Sequence, residues 1–133
     1  MDSPVDLSNW PTAPATPEAV GFRGYNPQPA KPAGGVKHDT GKPPMSLLDR
    51  HALEDVARVL AFGANKYAAH NWRQGIAYSR LLDAALRHLF AFAAGEDVDP
   101  ESGLPHLAHA GCCVMFLQGM THTRPDLDDR HKA

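Results

Sequence analysis

The chain has 133 residues, with 13 Lys and Arg against 15 Asp and Glu, and a formal net charge of -2. This near balance excludes a global electrostatic attraction to nucleic acid or to an anionic membrane. No apolar run approaches the ~20 residues of a membrane span, and the N-terminus lacks the basic start and apolar core of a secretion signal. We therefore expect a cytoplasmic protein with one domain and one modest core.

The first 35 residues are rich in proline and show neither helical nor strand periodicity. We predict an extended Pro-rich N-terminal arm over residues 1–35 without a core of its own, with Trp10, Phe22 and Tyr25 as candidate anchors. A helical domain over residues 36–122 and a charged C-terminal tail over residues 123–133, which we expect to fray, complete the predicted organisation.

Residues 36–49, VKHDTGKPPMSLLD, form a predicted loop with glycine and proline at its turns. Lys37 and Lys42 flank Asp39, and such lysines can bind phosphate. The alternative is a solvated loop without a ligand.

Three apolar patterns predict helices over residues 46–67, 79–94 and 104–120. Ser46 is the predicted cap of the first helix. The residues expected to face the core are Leu53, Val56, Ala57, Leu60, Ala64, Leu82, Ala85, Leu86, Leu89, Phe90, Ala93, Leu107, Ala110, Val114 and Leu117. No convincing strand is present, so the predicted fold class is all-α, a bundle of three or four helices.

The end of the first predicted helix and the loop after it contain cations, an amide and aromatic rings in close succession. Lys66 and Arg73 could bind phosphates, Tyr67 or Trp72 could stack on a base, and Asn71 could contact a base edge or ribose. The alternative is a core Trp at a helix corner beside solvated cations.

The segment GEDVDPESGLPHLAH, residues 95–109, concentrates carboxylates in a turn marked by proline and glycine. Crowded carboxylates repel one another unless water or a cation separates them. An oxygen-rich turn of this kind suits a hard divalent ion such as Mg²⁺ or Mn²⁺. The alternative is an exposed acidic loop before a capped helix.

Further candidate ligands lie on the helices that flank this turn. Asp83 and His88 precede it, and His106 and His109, three residues apart, share a face of the third helix. Carboxylates on facing helices of a bundle can build a metal site, and metals bridging phosphate oxygens can activate water. No Gly-x-Ser-x-Gly or Walker motif is present, so water is the simplest nucleophile.

Three ordered motifs carry a family resemblance: KHDTGKPPMSLL, LEDVARVLAFGANKYAAHNWRQG and DAALRHLFAFAAGEDVDPESGLPHLAHA. The run, over residues 36–117, resembles phage dATP/dGTP diphosphohydrolases, grouped with the MazG-like all-α nucleoside triphosphate pyrophosphohydrolases. The resemblance implies an all-α bundle of the MazG-like type that forms a homodimer or homotetramer in the host cytoplasm. It also implies Mg²⁺- or Mn²⁺-dependent cleavage of dGTP, and of dATP, to the monophosphate and pyrophosphate, in phages that use diaminopurine.

The chain departs from the MazG-like pattern of Glu-Glu-x-x-Glu on one helix and Glu-x-x-Asp on the next. Glu96 and Asp99 match the second motif in spacing only. Our candidate catalytic residues are Asp83, Glu96, Asp99 and Glu101. The candidate metal ligands are these four with His88, His106 and His109, and the candidate substrate-binding residues are Lys37, Lys42, Lys66, Tyr67, Asn71, Trp72 and Arg73.

Two other functions remain open at this point. A His/Asp-type triphosphohydrolase would need an adjacent His-Asp pair on a helix, and His38-Asp39 lies in a predicted loop. A non-catalytic helical module that binds a nucleotide or a protein would bind metal without turning over nucleotides.

Overall fold

A computed structural model describes residues 34–35, 37–39 and 41–133. It contains three α-helices, α1 (Arg50–Lys66), α2 (Tyr78–Ala93) and α3 (His106–Thr123), with short 3-10 helices at Met45–Leu47, Asn71–Gln74 and Pro125–Leu127. The described residues form no strand, only an isolated bridge, so the all-α prediction is confirmed. None of the described helices is both long enough and apolar enough to cross a membrane. The predicted arm and its aromatic anchors lie outside the described residues.

The described residues divide into two units, with the boundary between Leu47 and Leu48. The second unit contains all three α-helices. In the first unit, Asp39 pairs with both neighbouring lysines, at 3.3 Å from Lys37 and 3.8 Å from Lys42.

Helix α1 begins four residues later than we predicted, and its cap is not Ser46. The Asp49 carboxylate accepts a 2.8 Å hydrogen bond from the backbone N–H of Ala52, and Asp49 itself has an extended backbone. Ser46 instead lies in the 3-10 helix Met45–Leu47. Ser and Asp both cap helices well, and our prediction considered only Ser46.

Helix α3 is the central element, because it packs against both α1 and α2. Val59 of α1 packs on Ala108 and Cys112. Tyr78 and Leu81, at the start of α2, pack with Met120 near the other end of α3. That second cluster comprises Tyr78, Leu81, Met120, Trp72, Ile76, Phe116, Leu117 and Leu127. Phe116 contacts both clusters and joins them.

Part of the predicted core is exposed, and these predictions were wrong. Leu53 is 50% exposed and Phe90 69% exposed. The other exposed residues of the predicted core are Ala57, Leu82, Leu86, Leu89, Ala93, Leu107 and Val114. The apolar stripe of α2 is wider than the surface that α3 covers, so only part of it is buried.

Arg124 and Asp129 of the predicted tail make hydrogen bonds to the segment around the start of α2, which the expectation of a frayed tail did not include. Arg124 donates a 2.7 Å hydrogen bond to the carbonyl of Gln74. The Asp129 carboxylate accepts hydrogen bonds from Ser79, at 2.8 Å from the backbone N–H and 2.5 Å from the hydroxyl. Ala77, at the N-cap of α2, has no side-chain oxygen, so Asp129 satisfies a free N–H of this helix from fifty residues away.

Replacing Asp129 with Ala will lower the melting temperature by a few degrees at neutral pH. The hydrogen bonds from Ser79 hold the pKa of Asp129 below its usual range. A carboxyl with a lowered folded-state pKa stabilises the fold above its unfolded pKa of about 3.9, and this contribution is lost as the pH falls through the folded-state pKa. The gap between wild type and variant, measured by circular dichroism, will therefore close in acid. A gap that is constant from pH 7 to pH 2 would contradict the cap.

Candidate metal centre

The turn between α2 and α3 is closed by backbone hydrogen bonds. Asp99 N–H donates to the carbonyl of Leu104 at 2.9 Å, and Gly103 N–H donates to the carbonyl of Asp99 at 2.7 Å. Gly103 has a φ of +69°, in the left-handed region that glycine adopts without strain. His106 N–H then bonds the carbonyl of Asp97 at 3.0 Å, which sets the first residue of α3 against the turn.

Three side chains meet where this turn joins the helices: His88 of α2, Asp99 of the turn and His106 of α3. Each offers one ligand atom, and these atoms lie within 4.8 Å of one another. The Nδ1 atoms of His88 and His106 are 2.9 Å apart. We call these three residues the metal centre, because they form a His/Asp group that could hold a metal ion.

The metal centre is largely shielded from solvent. His106 is only 4% exposed, and its Nε2 atom has no hydrogen-bond partner among the described residues. Burial lowers the pKa of His88, and the neighbouring His109 and His106 lower it further. A lowered pKa favours the neutral imidazole, which is the form that binds metals.

Ser102 orients the carboxylate of the metal centre, and we did not predict it. Its backbone N–H and its hydroxyl each donate a 2.9 Å hydrogen bond to Asp99 Oδ2. Burial alone would raise the pKa of Asp99, but these bonds outweigh it, and the pKa lies below the usual range. The spacing Asp-x-x-Ser inside a Pro/Gly turn is the signal that could have revealed this role, since Asp in a turn accepts bonds from residues just after it.

His109 flanks the metal centre. Its ring stacks on that of His88, with centroids 4.5 Å apart and planes 14° from parallel. Its Nε2 lies 2.7 Å from the Ser102 hydroxyl oxygen and 3.9 Å from Asp99 Oδ2. Burial lowers the pKa of His109, although Asp99 opposes the shift. His109 therefore contacts two residues of the metal centre, His88 and Asp99.

Two of the predicted carboxylates lie beside the metal centre. Glu96 Oε2 is 3.8 Å from the unpaired Nε2 of His106, and about half of the Glu96 side chain is exposed. Glu101 accepts a hydrogen bond from Lys66, at the end of α1, and this bond raises the pKa of Lys66. The acidic turn between α2 and α3 therefore also contacts α1.

Asp83 is not among the residues that the structure brings together. It is exposed on α2, five residues before His88. Five residues correspond to about 140° around a helix, so the two side chains leave α2 in different directions.

The predicted nucleotide-binding loop folds as the 3-10 helix Asn71–Gln74 and its flanks. Trp72 stacks on Phe116, with ring centroids 4.6 Å apart and planes 14° from parallel. The guanidinium of Arg73 lies 4.7 Å from the centroid of the Trp72 ring. Tyr67 is exposed, with the Lys66 ammonium 5.6 Å from its ring centroid.

Replacing Trp72 with Ala will destabilise the chain by about 2–3 kcal/mol, somewhat less than the loss of a fully buried Trp. The reason is its stacking on Phe116 and its place beside the α2–α3 cluster. Urea unfolding measures this loss. If Trp72 also stacks on a base, the Michaelis constant for purine nucleotides will rise in conditions where the variant is fully folded. An unchanged Michaelis constant would restrict Trp72 to the core.

Comparisons with known proteins cover most of the residues that the structure describes. The family model "dATP/dGTP diphosphohydrolase, N-terminal" matches residues 32–130. A dATP/dGTP diphosphohydrolase of Salmonella phage PMBT28 is 48% identical over 96 residues, which is 72% of this chain and 33% of that protein. The chain thus spans about a third of the length of this relative. No solved structure matches the chain. The chain belongs to the phage dATP/dGTP diphosphohydrolase family, in the part that the family model describes as N-terminal.

Proposed function

We propose that this chain serves in the metal-dependent hydrolysis of dGTP, and of dATP, to the monophosphate and pyrophosphate. The reaction would belong to the purine and diaminopurine nucleotide metabolism of a phage, in the host cytoplasm. The observation that carries the proposal is the acidic turn, where Glu96 lies 3.8 Å from His106 of the metal centre and Glu101 pairs with Lys66 of α1. The name of the Salmonella phage relative supports the choice of nucleotide.

Lys66 is the phosphate ligand that the geometry favours. It lies at the end of α1 and reaches the acidic turn through its ion pair with Glu101. This pair is solvent-exposed, so it contributes little to stability and can open. A triphosphate carries more charge than one carboxylate, and it would draw Lys66 from Glu101.

The exposed carboxylates would bind the ion that accompanies the substrate. Mg²⁺ or Mn²⁺ is commonly bound through one or two carboxylates together with substrate phosphates. Such an ion supplies positive charge against the phosphates and activates water. Glu96 and Glu101 are exposed enough to contact a bound nucleotide, and Glu96 can accept a proton from an attacking water. Asp99 is held by Ser102 as a fixed negative charge.

Other candidates are supported by the sequence and family resemblance. Asp83 stays a proposed catalytic residue and metal ligand, and Tyr67, Asn71 and Arg73 stay proposed contacts for the base, the sugar or the phosphates. Lys37 and Lys42, in the first unit, stay proposed phosphate ligands.

We also propose that the protein is a homodimer or homotetramer. The exposed apolar side chains of α2 support this, because a second copy could cover them. They are Leu82, Leu86, Leu89, Phe90 and Phe92. Sedimentation equilibrium tests it, and a monomer at micromolar concentration would contradict it.

The function is tested by incubating the full chain with each deoxynucleoside triphosphate and Mg²⁺ or Mn²⁺, and identifying the products. Monophosphate and pyrophosphate from dGTP support the proposal. Tripolyphosphate would indicate a His/Asp-type triphosphohydrolase instead. Metal or nucleotide binding without turnover would identify a non-catalytic module instead.

Replacing Lys66 with Met will raise the Michaelis constant for dGTP about tenfold, the value expected for one lost charge-assisted hydrogen bond to phosphate. Lys132→Met is the matched control, because Lys132 also pairs with a carboxylate, that of Asp128, but lies in the C-terminal tail. Steady-state kinetics distinguish the two variants. Equal Michaelis constants would remove Lys66 from the phosphate-binding site.

A further inference from the structure

The two facing imidazoles of the metal centre cannot satisfy all of their buried nitrogens by themselves. The Nδ1 atoms of His88 and His106 are 2.9 Å apart, so one of them must carry the proton between them. If His106 donates it, its buried Nε2 is an unpaired acceptor. If His88 donates it, the same Nε2 is an unpaired donor. Either way a nitrogen of a side chain that is 95% buried has no partner among the described residues.

A metal ion between the two Nδ1 atoms resolves this conflict. Both Nδ1 atoms then coordinate without a proton, and His106 carries its proton on Nε2. That N–H faces the Glu96 carboxylate at 3.8 Å, which a small rotation of the half-exposed Glu96 would close to hydrogen-bond length. A metal-bound histidine usually donates its other N–H to a carboxylate in this way.

We propose that His88, Asp99 and His106 form a resident site for one divalent transition ion of the cobalt–zinc class, which Mg²⁺ does not occupy. Two imidazoles and one carboxylate are ligands of catalytic zinc and of other transition ions with open positions. Mg²⁺ prefers oxygen ligands and parts reluctantly with its water. This resident ion is distinct from the Mg²⁺ or Mn²⁺ proposed to accompany the nucleotide.

The spacing of the ligand atoms is close to what such an ion requires. Two nitrogens bound at about 2.1 Å lie about 3.0 Å apart at a right angle and about 3.4 Å apart at a tetrahedral angle. The observed 2.9 Å between the Nδ1 atoms is close to the first value. The three ligand atoms lie within 4.8 Å of one another, so the Asp99 carboxylate would have to move by about 1 Å to bind the same ion.

Neighbouring residues fix these ligands. Both hydrogen bonds from Ser102 go to Asp99 Oδ2, and Oδ1 accepts none from the described residues, so Oδ1 can serve as the ligand atom. His109 stacks on His88 and limits the rotation of its ring. Ser102 and His109 are therefore positioning residues.

The test uses the full chain after chelator treatment, without nucleotide. Cobalt(II) is added while its visible absorption is recorded, and Zn²⁺ is added in a calorimeter. We expect one ion per chain, a cobalt spectrum typical of nitrogen ligation, and no displacement by excess Mg²⁺. A cobalt spectrum like that of the free aqueous ion, or displacement by Mg²⁺, would overturn the proposal.

Variants locate the ion. His88→Gln, His106→Gln and Asp99→Asn will each weaken Zn²⁺ binding by at least about a hundredfold, and Ser102→Ala by about tenfold, the lower end for a residue that orients a ligand. His122→Gln, an exposed histidine of the same helix α3, is the matched control and will bind like wild type. Because His106 is buried, circular dichroism checks its folding, and Asp99→Asn with Ser102→Ala decide the question if His106→Gln unfolds. Equal affinity in all variants, or an equal loss in the control, would show that the ion binds elsewhere.

Metal binding and nucleotide hydrolysis can fail separately. Zinc binding without turnover of dGTP would leave the site intact and remove the proposed function. Turnover of dGTP with Mg²⁺ in a chain that binds neither cobalt nor zinc would support the proposed function and remove the proposed site.

Discussion

We expect Asp99→Asn to abolish the proposed hydrolysis of dGTP, with a fall in kcat of about a thousandfold or more, the loss expected when a metal ligand and a fixed charge are removed together. Asn keeps the size of the side chain and an oxygen that accepts bonds from Ser102. The stability cost should therefore be only about 1–2 kcal/mol, the cost of a weakened hydrogen-bond pair. Single-turnover kinetics and urea unfolding on the same preparation measure the two effects.

Two further variants make this result specific. Glu96→Ala will also abolish turnover, with little change in melting temperature because this carboxylate is exposed. Glu54→Gln removes an exposed carboxylate of α1 that pairs with Arg50, and it will leave kcat unchanged. If Asp99→Asn instead lowers the melting temperature by more than ten degrees and leaves turnover of the remaining folded fraction intact, Asp99 has a structural role only.

Replacing Gly75 with Ala will destabilise the chain by about 3 kcal/mol or more, because strain and overpacking add at this position. Gly75 has a φ of +107°, which L-residues rarely adopt. A Cβ atom here would also lie 2.6 Å from Arg124 Nη1 and 2.6 Å from Leu127 Cδ1. The substitution would push these two residues away from the turn before α2, and with them the hydrogen bond from Arg124 to Gln74.

Gly95→Ala separates the two causes. Gly95 has a similar φ of +93°, but a Cβ there would have no neighbour within 4 Å. It should therefore cost only the backbone strain, about 1–2 kcal/mol. Urea unfolding of both variants gives the difference. If Gly75→Ala costs no more than Gly95→Ala, the C-terminal segment does not pack on Gly75 as described.

The helices could be predicted from the sequence because their apolar periodicity is local. Helix α2 begins and ends within one residue of the prediction. The cap of α2 could not be predicted, because Asp129 lies fifty residues from Ser79 and no short-range pattern connects them. The exposure of Phe90 is also invisible to periodicity, which shows that a stripe is apolar but not how much of it a neighbouring helix covers.

The sequence predicted most of the residues of the candidate site but not how close they lie to one another. A tight turn with acidic residues places Asp99 close to α3, and the i, i+3 pair His106 and His109 follows from helical spacing. The 2.9 Å approach of His88 to His106 depends on how α2 crosses α3, which sequence spacing does not determine. We grouped Asp83 with the acidic turn because the two are close in sequence. The side chain of Asp83 leaves α2 in a different direction from that of His88.

The central claim is that the end of α2, the turn and the start of α3 together hold a metal ion. X-ray absorption spectroscopy of the chain loaded with one equivalent of Zn²⁺ tests it most directly, because scattering from imidazole rings is distinct from that of water or carboxylate oxygen. We predict two imidazole nitrogens at about 2.0–2.1 Å, with the remaining ligands oxygen. A first shell of oxygen alone would contradict the account.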